Sequence, residues 1–386
     1  MPRPWHARRL LPALAAPLLL AGALTTLGQA AAPAATCKNW TVPPLNPGAT
    51  GNTFNGVAVR SACSAWAVGY STSGAGDQTL IEHWNGSSWK VQPSPSPGSL
   101  VNFLNSVRAV SATNVWAVGD YFTNAGSHTL ILHFNGSTWK RVRSPNPGSG
   151  FNELDGLRAV SAHNIWAVGS FTDGSFRQSL ILHWDGHTWS QASSPNPGAA
   201  FDELSSVAAT SASNAWAAGA FFNGTALRTL IVHWNGSSWK RVTSPSPGTG
   251  NDDLLGVSAT SAANAWAVGY TNNGTANQTL ILHWNGHNWA RVASPDPGGS
   301  ANGNALRGVA AFSRTSAWTV GDFTNSAGTQ AIFLHWNGSK WKPVTTPLPG
   351  ISNDLLGVAA TSASDAWAVG DFSNGHGTLS LAIHCC

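Results

Sequence analysis

Apolar residues along this chain come in short runs separated by turn formers, and the set of runs recurs about every 50 residues. Over 106–148 the runs are Ser106–Ser111 (SVRAVS), Val115–Val118 (VWAV), Thr129–Phe134 (TLILHF) and Trp139–Val142 (WKRV). Each is rich in β-branched, aromatic or small residues, and each predicts a short strand. Gly119 is expected to end the second strand, and Asp120–Ser127 reads as a loop. Asn135-Gly136 between apolar runs is a type I′ hairpin signal, and Ser144-Pro145-Asn146-Pro147-Gly148 breaks the fourth strand. Four strands and their turns fill one repeat. The second strand carries Ala-Trp-Ala-Val-Gly or a variant, centred on Trp66, Trp116, Trp166, Trp216, Trp266, Trp318 and Trp367, at spacings of 50, 50, 50, 50, 52 and 49 residues. A fixed period of this length denotes a repeat architecture.

The two ends choose between an open solenoid and a closed ring. The seventh repeat stops after its third strand, at His384-Cys385-Cys386. Its missing fourth strand is found at the other end: Trp40-Thr41-Val42 followed by Asn46-Pro47-Gly48 copies Trp139–Gly148 with small deletions. A solenoid needs polar caps rather than a split repeat, whereas ring closure uses the split and reduces the exposed edges. The expected fold is therefore all-β: a seven-bladed β-propeller of four-stranded antiparallel blades over 37–386, closed by the N-terminal strand. By alignment Cys386 falls at the turn Asn and Cys37 at the turn Gly, so a disulfide from Cys37 to Cys386 or Cys385 would replace the missing covalent turn. It would be worth about 2–5 kcal/mol. Cys63, in the first turn of the first blade, leaves room for a second bond, and four cysteines allow three connectivities.

Residues 1–30 read as an export signal. Arg3, Arg8 and Arg9 precede an apolar run from Leu10 to Leu20, and small residues around Gly28-Gln29-Ala30 place cleavage near Ala30. No later stretch is apolar for long enough to span a bilayer. The expectation is a secreted, monomeric domain in an oxidising compartment. Without the three leader arginines, 17 Lys and Arg face 16 Asp and Glu, a net charge of +1. That is no basic face for nucleic acid.

Nineteen of the 20 tryptophans fall on three repeat positions. Seven lie on strand two, five on strand three and seven on strand four, counting Trp40. Their strict period assigns them to packing between blades, with some on the outer strand partly exposed. The histidines from His83 to His384 also recur once per blade. They are too far apart for one metal and are expected to be structural hydrogen-bonding groups.

Chemistry is expected on one face. Loops joining strands two and three share a face with those joining one blade to the next, and 13 of the 16 acids lie there. Loops on a rigid scaffold are the usual site of function. Carboxylates, amides and aromatic rings suit sugar hydroxyls and ring faces, and the oxygens could hold calcium. Blades two to four depart most from the repeat, because Arg108 and Arg158 replace Ala or Ser. The candidate ligand-binding set is Arg108, Asp120, Phe151, Glu153, Asp155, Arg158, Asp173, Phe201, Asp202 and Glu203.

On the residues SAANAWAVG (261–269), LILHWNG (280–286) and RVASPDPG (291–298), the repeat resembles a family of secreted bacterial β-propeller repeat proteins, many without assigned function. The hairpin Asn85-Gly86-Ser87-Ser88-Trp89 also resembles a degenerate Asp-box, one residue short and without the leading Ser. The resemblance implies a fold and no activity. Three functions fit: a non-catalytic binding propeller, lectin-like, for glycan or cell-surface polymer; a polysaccharide hydrolase or lyase built on a carboxylate pair; and a scaffold for an extracellular protein. No nucleophile motif and no phosphate-binding glycine loop is present, and no catalytic residue is assigned.

Overall fold

The computed structural model describes residues 40–42, 51–74 and 76–385. Chain contacts divide residues 1–34 from residues 35–386, and the predicted leader lies outside the described residues. The described residues form 28 strands in seven four-stranded antiparallel sheets and no helix. In chain order, blades 1 to 6 are β2–β5 (52–91), β6–β9 (102–142), β10–β13 (151–192), β14–β17 (202–242), β18–β21 (252–292) and β22–β25 (304–343). Blade 7 consists of β26–β28 (352–385) and β1 (40–41), in the order β1-β28-β27-β26. Trp40 pairs with Cys385 and Thr41 with His384. The N-terminal strand thus completes the last blade, as the split repeat requires.

The inner two strands of each blade run further than the apolar runs predict. In blade 2 they are Asn102–Ser111 and Asn114–Thr123, so Gly119 is mid-strand and Asp120 belongs to a strand rather than a loop. The cause is a close approach. A Cβ on Gly119 would overlap the Phe103 carbonyl, and one on Gly69, Gly169, Gly219, Gly269, Gly321 or Gly370 would meet the equivalent carbonyl of its own blade. Glycine here admits the neighbouring backbone and does not end the strand. Gly269→Ala is expected to cost about 3 kcal/mol through overpacking, read as a lower denaturant midpoint with unchanged m-value.

One register later every inner strand bulges. The extra residues are Asn55, Asn105, Asp155, Ser205, Leu255, Arg307 and Leu356. All seven line a central cavity of about 140 Å³. The bulge re-aims one side chain per blade toward the axis, so the repeat determines seven axial positions while their chemistry varies.

The core lies between blades. Each strand-two Trp is at most 2% exposed and stacks on its own blade's His at 4.0–4.2 Å between centroids. In six cases it also meets the next blade's strand-three aromatic at 4.9–5.3 Å and its strand-four Trp edge to face at 5.0–5.7 Å. The ring seam uses the same contact, Trp367 on Trp84 and Trp89. Strand-four tryptophans 89–341, expected to be partly exposed, are buried because they fill this wedge. The half-exposed ones are on strand three, where Trp184, Trp234, Trp284 and Trp336 donate Nε1–H to a turn carbonyl at 2.9–3.1 Å. The histidines are structural: His133, His183, His233 and His283 pair through Nε2 with an Asn at 2.8–3.1 Å, and His384 pairs with Asp365.

Cys63 is free and exposed, which corrects the second disulfide considered for it. It sits over Gly86, in the Asn-Gly turn of the same blade, 3.2 Å from where a Cβ would lie. Thr113, His163 and Ser213 hold the equivalent place over Gly136, Gly186 and Gly236, so this is an ordinary repeat position facing the Asn-Gly or Asp-Gly turn of its own blade. Cys37 and Cys386 lie outside the described residues, and Cys385 ends β28 fully buried.

Candidate functional site

Inner strands start at one mouth of the channel. A residue at the start of each turns into the sheet: Asn102, Asn152, Asp202, Asp252 and Asn304 each accept the N–H of the preceding Ser-Pro-x-Pro-Gly glycine, at 2.6–3.0 Å. Asp202, a candidate ligand residue, is therefore buried in a structural role shared by the asparagines of other blades. Alternation along the strand directs the next residue the other way. This second position carries Glu153, Glu203, Asp253 and Asp354 in blades 3, 4, 5 and 7.

Arg177, at the start of β12 (Phe176–Trp184), organises the cluster in blades 3 and 4. Its Nη2 lies 2.9 Å from Glu153 Oε2 and 3.0 Å from Glu203 Oε2, and its Nε–H donates to Ser170 Oγ at 2.8 Å. The guanidinium carbon lies 4.7 Å from the Phe151 ring centre and 5.2 Å from that of Phe201. The structure thus brings together Phe151, Glu153, Phe201 and Glu203 from the sequence-derived set, around a cation that set omits. Arg177 had a sequence signal, since its position reads Asp77, Ser127, Leu227, Asn277, Thr329 and Thr378 elsewhere. It is the single cation among seven copies.

Asp120, Asp155 and Asp253 share this field. Burial, then the Glu153 charge, pushes Asp120 up to about 8, against a side-chain hydrogen bond from Asn105. Burial pushes Asp253 up to about 7, with Glu203 adding to it. Asp155 is raised by burial and then by Glu153 and Glu203, and Glu203 is raised by burial against the pull of Arg177. Further round the mouth, burial and the charges of Asp322 and Asp371 push Asp354 up to about 6, and Arg307 pairs with Asp322 at 2.7 Å. Desolvation favours the neutral acid. Asp253 Oδ1 is buried without a hydrogen-bond partner, on a side chain 7% exposed.

Of the other candidates, Arg108 lines the central cavity together with Asp155. Arg108 and Arg158 lie five to seven residues further along their strands, toward the opposite mouth, and Arg158 donates to the Ala209 carbonyl at 3.2 Å. Burial, then the Arg158 charge, lowers Arg108 to about 9. Asp173 is exposed at the tip of the β11–β12 turn. Among the described residues no group of three His, Cys, Asp or Glu is arranged to hold a metal ion, and no helix is long and apolar enough to cross a membrane.

No family model matches the chain, and no curated protein matches it by sequence. Among solved structures it is similar to one described as YCF48 bound to D1 peptide, with 15% identity and a TM-score of 0.55 over 92% of this chain and 98% of that one. It is similar to YCF48 from Cyanidioschyzon merolae, with 13% identity and a TM-score of 0.54 over 90% and 98%. At these identities the likeness is one of fold.

Proposed function

We propose that this chain is a non-catalytic binding propeller, exported by its N-terminal segment, whose acidic channel mouth receives a basic segment of a protein partner. The observation that carries this reading is the convergence of Asp120, Glu153, Asp155, Glu203 and Asp253 on a mouth with Arg177 at its centre. The crowded carboxyls outnumber the guanidiniums that act on them, Arg177 and, at Asp253, also Arg307, and an incoming Lys or Arg would relieve their repulsion and give Asp253 Oδ1 a donor. A similar propeller has been solved with a peptide bound, so the architecture can serve this purpose. A glycan fits this mouth less well, because Arg177 covers faces of Phe151 and Phe201 that a sugar would stack on.

Fluorescence titration with a labelled Lys/Arg-rich peptide and a Glu-rich control tests the reading. The basic peptide should bind, weaken as salt rises, and bind at least tenfold less tightly to the Glu203→Gln/Asp253→Asn variant. Equal binding of both peptides, or none, would rule it out. Cleavage of the peptide or of an added polysaccharide would move the assignment to a hydrolase. The closing disulfide belongs to the same exported reading. A non-reduced digest should link Cys37 to Cys385 or Cys386, and free thiols at all three would remove covalent closure.

A further inference from the structure

A cavity of about 780 Å³ lies away from the channel, on the outer rim between blades 2 and 3. Strand β9 (Trp139–Val142) and the Ser-Pro segment after it form one wall; the Asp185–Thr188 hairpin turn and Trp184 form the other. The equivalent groove between blades 1 and 2 measures about 290 Å³. The repeat provides its own comparison: Ser144, Pro145, Thr188 and Trp189 match Ser94, Pro95, Thr138 and Trp139, whereas Val142 replaces Gln92 and Trp184 replaces Phe134. Arg143 stands where the other groove has Pro93, and His187 where it has Ser137. His128, also on the larger groove, stands where most repeats carry Gln, as at Gln78, Gln178 and Gln278. His128 and Arg143 are departures found in this repeat alone and His187 is shared with His287, so groups far apart in sequence meet in one place.

His128, Arg143 and His187 are all cationic or protonatable; the hairpin also carries Asp185 where other repeats have Asn, an exposed carboxylate that accepts the His187 and Thr188 N–H groups of its own turn and is not among the residues lining the cavity. Arg141 is already positioned there: its guanidinium lies 4.9 Å over the Tyr121 ring, which packs on His128 at 5.1 Å. Among the described residues neither Arg141 nor Arg143 forms a salt bridge. A guanidinium over an aromatic ring still has N–H groups to offer a planar carboxylate. Trp184 is half-buried in the groove wall and offers an indole surface beside these donors. The cavity is within the size range of ligand sites, which combine such surfaces with a few fixed polar groups.

We infer that the groove between blades 2 and 3 is a second ligand site, and that it takes an acidic saccharide. A uronic acid residue fits the chemistry: its ring lies against Trp184, and its carboxylate takes the Arg141 and Arg143 donors. The site is separate from the channel mouth and opposite in charge, so neither reading rests on the other.

Calorimetric titration of the full chain with a galacturonate oligomer tests this, with a neutral oligosaccharide of equal length and sodium sulfate as comparisons. The uronate oligomer should bind, and the neutral oligomer at least tenfold less tightly. In Arg143→Ser/His187→Ser, uronate binding should weaken at least tenfold while basic-peptide binding at the mouth is retained. Ser occurs at both positions in other repeats, at Ser193 and Ser137, so folding should persist, and thermal melting of the variant checks it. Absent uronate binding, equal binding of both oligomers, or an unaffected variant would overturn the proposal. Sulfate binding as tight as uronate would reduce the groove to a simple anion site and overturn the saccharide assignment.

Discussion

Replacing Trp216 by Ala is expected to lower the unfolding free energy by about 3–5 kcal/mol, the range for truncating a buried large aromatic. Its indole is 1% exposed and stacks on His233 at 4.1 Å within its own blade. It also meets Trp284 at 4.9 Å and Trp289 at 5.3 Å in the next blade. The cavity would open at the seam between blades 4 and 5, where both walls are rigid sheets with little scope for collapse. Blades hold each other mainly through this contact, so loss at one seam should be felt by the whole ring. Urea unfolding followed by Trp fluorescence measures the loss. A change below about 1 kcal/mol would mean that this cluster is not a main source of cohesion between blades.

Stability should also fall as pH rises from about 6.5 to 8.5, by a few kcal/mol, since each tenfold difference in proton affinity between folded and unfolded chain is worth about 1.4 kcal/mol. Asp120 and Asp253 are raised to about 8 and about 7 in the fold. Between the usual aspartate value and those values the folded state holds protons that the unfolded chain has released. Stability therefore declines as pH climbs to and through them. Burial lowers His83, His133, His183, His233, His283 and His335, which gives the opposite slope on the acid side. There the unfolded chain takes up protons that the fold resists, so stability falls below about pH 6.5. The aspartate limb begins near the usual aspartate value and overlaps the histidine limb below pH 6.5, so the fall above pH 6.5 is the part that belongs to the carboxyls alone. Asp120→Asn/Asp253→Asn should flatten the alkaline limb, raise stability at pH 8.5 and leave the histidine-driven acid limb in place. A parent protein equally stable at pH 6.5 and 8.5 would show that these carboxyls are solvated in the fold.

The same two carboxyls link stability to binding. Crowded acids that weaken the fold at neutral pH are groups that a basic guest would stabilise, so added basic peptide should raise the melting temperature most at pH 8.5. Sites that cost stability are commonly functional ones.

The ring was legible in the chain alone. The period of the Trp position specifies seven blades, the split last repeat specifies the closure, and the Asn-Gly turns and apolar runs specify four strands per blade, because these signals are local and repeated seven times. The packing role of Trp and His follows from the same period. Blades two to four also stood out as the region of departure, through Arg108 and Arg158 and the loop residues around Glu153 and Glu203. What those departures do depends on how the blades pack. Asp120 reads as a loop residue because a strand-ending glycine and a close-approach glycine look alike in one chain. Only the carbonyl lying over Gly119 distinguishes them. Asp202 is a structural acceptor in the fold, and Asp155 is turned to the axis by a bulge that no residue type announces. Arg177 joins Glu153 and Glu203 across a blade boundary, and Arg143 meets His187 across another. Such pairs lie 24 to 44 residues apart in the chain. The angle between neighbouring blades sets their meeting, and that angle comes from the packing of the tryptophans.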